Sequence, residues 1–196
     1  MYTVIGSRRS RALRVIWCLE ELGQTYDLIE AGPRSDEIRA VNPSGKVPAL
    51  KVDDTVLTDS TAIMTYLADA HGALTYPAGT LDRARQDALT HMLLDEFDAV
   101  LWTAARHSFV LPEEHRMPEI KDSLKWEFAN SAKRLADMLG DGPFLMGETM
   151  TVADILAAHC LSWATNARFP VEEPALTGYL ARMRDRPAFQ RAIGKA

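Results

Sequence analysis

Two serines lie where this chain can do chemistry. Ser7 and Ser10 follow a short apolar run, Tyr2 to Ile5, and precede a helical pattern that stops at Gly23, so both hydroxyls stand at a strand-to-helix turn. Ser10 comes four residues after Gly6, and its side chain together with the amides of Arg11 and Ala12 can converge on one bound anionic atom. The plainer role of Ser10 is a helix N-cap, a common use of serine, and both readings stand on the residues alone. A second constellation begins at Asn42 and reads NPSGKVPALKVDDTVLTDSTAIMTYLADAH. In it Asp59 or Ser60 caps an apolar helix whose positive end can hold a small anion.

The elements that must position these groups follow from periodicity. Tyr26 to Ile29 forms a second strand and Ser35 to Val41 a short helix. The apolar runs Ala49–Val52 and Val56–Leu57 flank Asp53-Asp54 as a hairpin, and Ser60 to Ala70 is a helix. The order is βαβαββα, a thioredoxin-like arrangement. Two glycines and a proline in Gly72 to Gly79 break the pattern and mark a linker.

Beyond the linker every pattern is helical. A long amphipathic stretch covers Leu81 to His107, and others cover Glu119 to Leu139, Thr151 to Ala167, Pro174 to Asp185 and Pro187 to Ile193. Thr151 with Asp154 makes a capping box flanked by Met150 and Ile155 as a hydrophobic staple, a structural device rather than a catalytic one. The expected domains are residues 1-75, thioredoxin-like, and 81-196, all-helical.

Val47-Pro48-Ala49-Leu50, followed at hairpin distance by Asp59-Ser60, resembles the glutathione-binding half of the soluble glutathione S-transferases, serine-type and bacterial-like. The resemblance implies a cis proline at Pro48 and pairing of the Val47 backbone with the cysteinyl part of glutathione. It also implies that Asp59-Ser60 grips the γ-glutamyl end and that Lys46 meets the glycine carboxylate. Glutathione's thiol reacts as the thiolate, which a hydroxyl and a helix N-terminus stabilise. Ser10 is the expected donor, and Ser7 is the competitor because loop length at this turn varies between the serine-using classes.

Arg9 and Arg11 add positive charge for a ligand with two carboxylates and one ammonium. Arg11 and Arg14 are expected on the solvated side of their helix. Tyr2, the nearest tyrosine, stands too early on its strand for the family's tyrosine role. The turn has no cysteine, which argues against disulfide exchange. Trp102, Arg106, His107 and Trp163, with Phe109 and Asn166, are candidate walls of an apolar electrophile pocket, although aromatic residues at helical spacing commonly serve as core. Asp95, Glu96 and Asp98 read as a solvated acidic face, and in the family an acid of this helix sometimes reaches the glutathione of the partner subunit.

Composition excludes other classes. With 196 residues, 47% hydrophobic content and a formal charge of -5, the chain lacks the basic stripe of a nucleic-acid binder; its dense basic cluster, Arg8, Arg9, Arg11 and Arg14, is short. The five histidines form no HxxxH or Cys-His ligand set, and no GxxxxGK[ST], GxGxxG or GxSxG motif is present. No metal is expected. Cys18 and Cys160 sit within apolar helical patterns and read as buried free thiols of a reducing compartment, which places the protein in the cytoplasm. The reading is a homodimeric glutathione transferase that joins glutathione to a hydrophobic electrophile. Its rivals are a non-catalytic binding module of the same fold and a glutathione-dependent peroxidase or dehalogenase.

Overall fold

A computed structural model describes residues 1–195. The chain forms two compact units, Met1–Ala78 joined by the segment from Arg184 onward, and Gly79–Met183.

In the first unit, strands β1 (Tyr2–Ile5), β2 (Tyr26–Ile29), β3 (Ala49–Val52) and β4 (Thr55–Thr58) form one sheet in the order β2-β1-β3-β4. β1 pairs parallel to β2 with Tyr2 opposite Tyr26, and antiparallel to β3 with Ile5 opposite Ala49. The β3–β4 pair is the expected hairpin, turning at Asp53, whose φ is 52°. Side chains alternate along the strands. Ile5 and Ala49 pack with Ala31 and with Ile38 of α2 (Asp36–Arg39), while Val4 and Leu50, pointing the other way, are also fully buried. Helices α1 (Ala12–Glu21) and α3 (Ser60–His71) pack against each other. α2 is shorter than the Ser35–Val41 pattern, but the amides of Val41 and Asn42 both still reach back to the Ile38 carbonyl, so a helical turn carries on to Asn42, whose side chain accepts from Ser44.

The second unit is built of helices, with two isolated bridges, Phe144 to Gly147 and Met146 to Thr149, in the loop after residue 139. The stretch expected as one helix from Leu81 is divided: α4 (Leu81–Leu93), a π-helical segment Leu94–Asp98, α5 (Ala99–Ala105) and a second π segment Arg106–Val110. Each π turn rotates the side chains that follow it relative to an α-helical register. Asp98, the last residue of the first π segment, is buried next to Phe97, correcting the expectation of a wholly solvated acidic face, while Asp95 remains exposed. α6 (Ile120–Leu139) and α7 (Val152–Asn166) complete the core with α8 (Pro174–Asp185), and Phe128 stacks edge-on against Phe97 at 5.1 Å and Phe169 at 5.5 Å. The predicted capping box closes α7, with the amide of Thr151 donating to Asp154 Oδ2 at 2.8 Å.

The last helix, α9 (Pro187–Ala192), continues the helical tract in sequence but packs on α1 in the first unit. Trp17 meets Phe189 edge-on at 4.8 Å, Arg186 holds Glu21 through two bonds of 2.6 and 2.7 Å, and Arg191 holds Glu20 at 2.7 Å. Bidentate guanidinium–carboxylate geometry fixes direction as well as contact.

Candidate functional site

Gly6 ends β1 where the backbone runs close to both α1 and the Val47-Pro48 loop. A Cβ there would lie 2.6 Å from Ala12 Cβ, too close to fit, so glycine lets the turn pass against the start of α1; Pro48 Cα and Val47 Cβ would stand at ordinary contact distance, 3.6 Å. The amide of Gly6 donates to the Ile29 carbonyl at 3.0 Å, and its carbonyl accepts from Ala31 at 3.3 Å, which continues the β1–β2 ladder into the turn.

The Ser10 hydroxyl is engaged within the turn. It donates to the Ser7 carbonyl at 2.7 Å and accepts from the amide of Ala12 at 3.1 Å. The plainer capping role is thus realised, and the Ala12 amide, expected to face a bound atom, is taken by Ser10. The Ser7 hydroxyl accepts from the Arg9 amide at 3.3 Å, and its own proton has no acceptor among the described residues. Ser7, Arg8, Arg9, Glu30 and Ile193 line an open cavity of about 580 Å³. Arg9 is exposed and Arg11 half-buried.

The Val47–Pro48 peptide bond is cis, as the resemblance implies. Among the described residues nothing hydrogen-bonds to the backbone N–H or carbonyl of Val47. Just before it, exposed Lys46 is held by its backbone, whose carbonyl accepts from Asn42 Nδ2 at 2.9 Å.

At the start of α3, Asp59 is the N-cap. Its Oδ1 accepts from the amides of Thr61 at 2.9 Å and Ala62 at 3.0 Å, so the carboxylate occupies amides that were candidates for an external anion. Oδ2 carries none of these bonds. Ser60 is buried, and its Oγ accepts from Nη1 of Arg14 at 3.3 Å. Arg14 is 1% exposed, which corrects the expectation of a solvated side chain. α1 buries Arg14 together with Val15, Ile16 and Trp17, because the packing of α3 and α9 covers more of its circumference than the apolar stripe alone marks.

In the helical unit, Trp102, Arg106, His107 and Trp163 are all half-buried, whereas Phe109 and Asn166 are exposed. His107 Nδ1 accepts from the amide of Met117 at 3.1 Å, a bond that holds the loop before α6. Arg106 donates from Nη2 to Thr103 Oγ1 at 2.9 Å. Trp163 packs edge-on against His159 at 6.5 Å. Among the described residues no three of His, Cys, Asp and Glu group as metal ligands, and no helix is long and apolar enough to cross a membrane.

One residue of the turn carries more than its sequence announces. Arg8 donates from Nε to the Ala192 carbonyl at 3.0 Å and from Nη1 to Glu30 Oε1 at 3.3 Å. In the sequence it is one of four clustered arginines, and no local signal marks a partner 184 residues away.

A thioredoxin-like unit with a cis proline facing the first strand-to-helix turn, continued by an all-helical unit, defines a two-part architecture. The comparisons agree with it. Residues 10–70 match the model for the glutathione S-transferase N-terminal domain, and residues 97–187 that for the C-terminal domain. The glutathione S-transferase GstA of Escherichia coli O157:H7 is 29% identical over 187 residues, covering 89% of each chain. The maleylacetoacetate isomerase of Rhizobium meliloti is 32% identical over 157 residues, 76% of this chain and 74% of that one. The crystal structure of the theta class glutathione S-transferase of Xanthomonas axonopodis pv. citri, with glutathione bound, superposes with a TM-score of 0.79 at 29% identity, covering 100% of this chain and 98% of that one. The chain belongs to the soluble glutathione S-transferase family.

Proposed function

We propose that this chain is a transferase that holds glutathione along its first unit and ionises the thiol at the β1–α1 turn. The observation that carries the reading is the open backbone of Val47 beside the cis proline, next to the turn that bears Ser7 and Ser10. An extended peptide pairs with such a free N–H and carbonyl as an added strand does. Glutathione's cysteinyl residue supplies both partners, and this sets its sulfur toward the turn.

The remaining contacts follow from the polar atoms left over. Asp59 Oδ2 takes the γ-glutamyl ammonium and the Ser60 hydroxyl its carboxylate, while Lys46 takes the glycine carboxylate. Arg9 and Arg11 raise the local positive potential. Of the two hydroxyls, that of Ser10 already donates to the Ser7 carbonyl, whereas the proton of Ser7 is uncommitted. This supports Ser7 as the donor to sulfur and Ser10 as the residue that shapes the turn, a division opposite to the one expected from spacing.

The reaction is substitution or addition at an electrophilic carbon. The thiol proton leaves to solvent, the S–C bond forms, and the leaving group departs with its electron pair where there is one. A hydrophobic acceptor suits the half-buried aromatic side chains of Trp102 and Trp163, with Arg106 and His107 close to Trp102 in the sequence. A homodimer working in the cytoplasm completes the proposal.

Calorimetric titration with glutathione and turnover of a chloronitroaromatic test it, with wild type, Ser7→Ala and Ser10→Ala compared. The expected result is micromolar-to-millimolar binding by all three and the larger loss of kcat in Ser7→Ala. Binding without turnover of any electrophile or peroxide would instead make the chain a binding module. Absence of binding sinks the proposal outright.

A further inference from the structure

We propose that Arg8 is a positioning residue for the thiol-activating turn and that the C-terminal helix acts on that turn through it. The inference rests on the reading of the β1–α1 turn given above.

The carbonyls of the last turn of α9 each have a distinct partner. Phe189 accepts from Ile193, Gln190 from Lys195 and Arg191 from Gly194, whose φ of 77° lets the chain reverse. Ala192 is the next in line, and its carbonyl is met from outside the helix, by Arg8 Nε at 3.0 Å. The other arm of the same guanidinium reaches Glu30, which lies between Ile29 and Ala31, the two residues that bond Gly6. Arg8 therefore ties the turn at two points, one on the β2 edge and one on α9. α9 is itself fixed by the Arg186–Glu21 and Arg191–Glu20 pairs and by Phe189 on Trp17.

The two serines flank this tie. Ser7 immediately precedes Arg8, and the Ser7 carbonyl accepts both the amide of Ser10 at 2.9 Å and its hydroxyl at 2.7 Å. A rotation of the Ser7–Arg8 backbone therefore moves both hydroxyls. Because Glu30 faces Arg8, the guanidinium is charge-compensated, and its contribution is geometric: two N–H directions fixed in one plane.

The geometry separates this role from that of a simple positive charge. In Arg8→Lys the charge is retained, but an ammonium cannot make both bonds in their present directions. The test compares wild type, Arg8→Ala, Arg8→Lys and Glu30→Gln. It follows the ultraviolet absorbance of the bound thiolate against pH, kcat and KM for glutathione with a chloronitroaromatic, and thermal unfolding. Arg8→Ala and Arg8→Lys should both raise the bound-thiol pKa by about one unit, lowering kcat by about tenfold at pH values well below the wild-type pKa of that thiol, with KM for glutathione changed less than about twofold. Glu30→Gln keeps an acceptor for Arg8 but frees its charge, so it should not raise the bound-thiol pKa.

Wild-type pKa and kcat in both Arg8 variants would overturn the inference. So would full rescue by lysine of a loss seen with alanine, which would make the effect one of charge. Should Arg8→Ala fail to fold, Arg8→Lys decides alone. Failure of the wild type to bind glutathione would remove the underlying reading, an outcome distinct from a wild type that turns over and variants that match it.

Discussion

Arg14 and Ser60 meet in the interior of the first unit, 1% and 3% exposed, with Arg14 Nη1 donating to Ser60 Oγ across 3.3 Å. The bond joins α1, which begins at the serine turn, to α3, which begins at the acid–serine pair. The two ends of the proposed glutathione site are thus joined by a buried hydrogen bond from a charged donor.

Ser60→Ala should accordingly have two effects. It removes an acceptor from a buried guanidinium, and a loss of about 1–3 kcal/mol in stability is expected from urea unfolding. It also removes the hydroxyl assigned to the γ-glutamyl carboxylate, so KM for glutathione should rise by roughly tenfold, the equivalent of one charge-assisted bond. Unchanged KM with reduced stability would leave Ser60 a structural residue only.

Asp59 combines two demands, a cap for Thr61 and Ala62 and a backbone φ of 69°. Asparagine meets both, since its side-chain oxygen caps and it tolerates positive φ. Alanine meets neither. Asp59→Ala should cost about 1–2 kcal/mol and Asp59→Asn a few tenths. Asn lacks the negative charge for the γ-glutamyl ammonium, so both variants should weaken glutathione binding alike. Thermal unfolding and calorimetric titration separate the two effects.

What the sequence discloses is local. The β3–β4 hairpin, the Thr151–Asp154 capping box and the strand–turn–helix at Ser7–Ser10 are written within a few residues of themselves. The cis bond at Pro48 is legible only through the family resemblance carried by Val47-Pro48 and Asp59-Ser60. The burial of Arg14 is hidden because a charge on a helix is normally solvated, and only the packing of α3 and α9 around α1 shows otherwise. The burial of Asp98 is hidden for the same reason, an acid on a helix being normally solvated, and the π segment in which it lies leaves no mark on the apolar spacing before it. The tie from Arg8 to Ala192 spans nearly the whole chain and leaves no mark on local composition.

The thiols supply a direct check of packing. Cys18 and Cys160 are both buried, and burial, with Glu21 nearby, pushes the Cys18 thiol far above its ordinary range. Thiolate is the reactive form. A disulfide reagent at mildly alkaline pH should find no rapid thiol in the native protein and both of the two cysteines in denaturant. A fast native phase of one equivalent would contradict the burial of α1 or α7.

Asp154 provides a pH signature for the helical unit. The carboxyl is fully buried; its Oδ1 accepts from Leu145 N and Tyr179 OH, each at 2.9 Å, and Oδ2 from Thr151 N at 2.8 Å. Burial raises its pKa above the ordinary 3.8, and these donors offset only part of that. Between 3.8 and the raised native value the folded chain therefore holds more protons than the unfolded one, so this residue's contribution to stability declines as pH rises through that window and is level above it. Asp154→Asn removes the titration but turns an N–H₂ group toward a donor, at about 1–3 kcal/mol. Urea unfolding at a series of pH values from about 4 to 7 should show wild type more stable throughout, with its advantage over Asp154→Asn largest at the acidic end. An advantage that grows with pH would mean that the donors, rather than burial, govern this carboxylate.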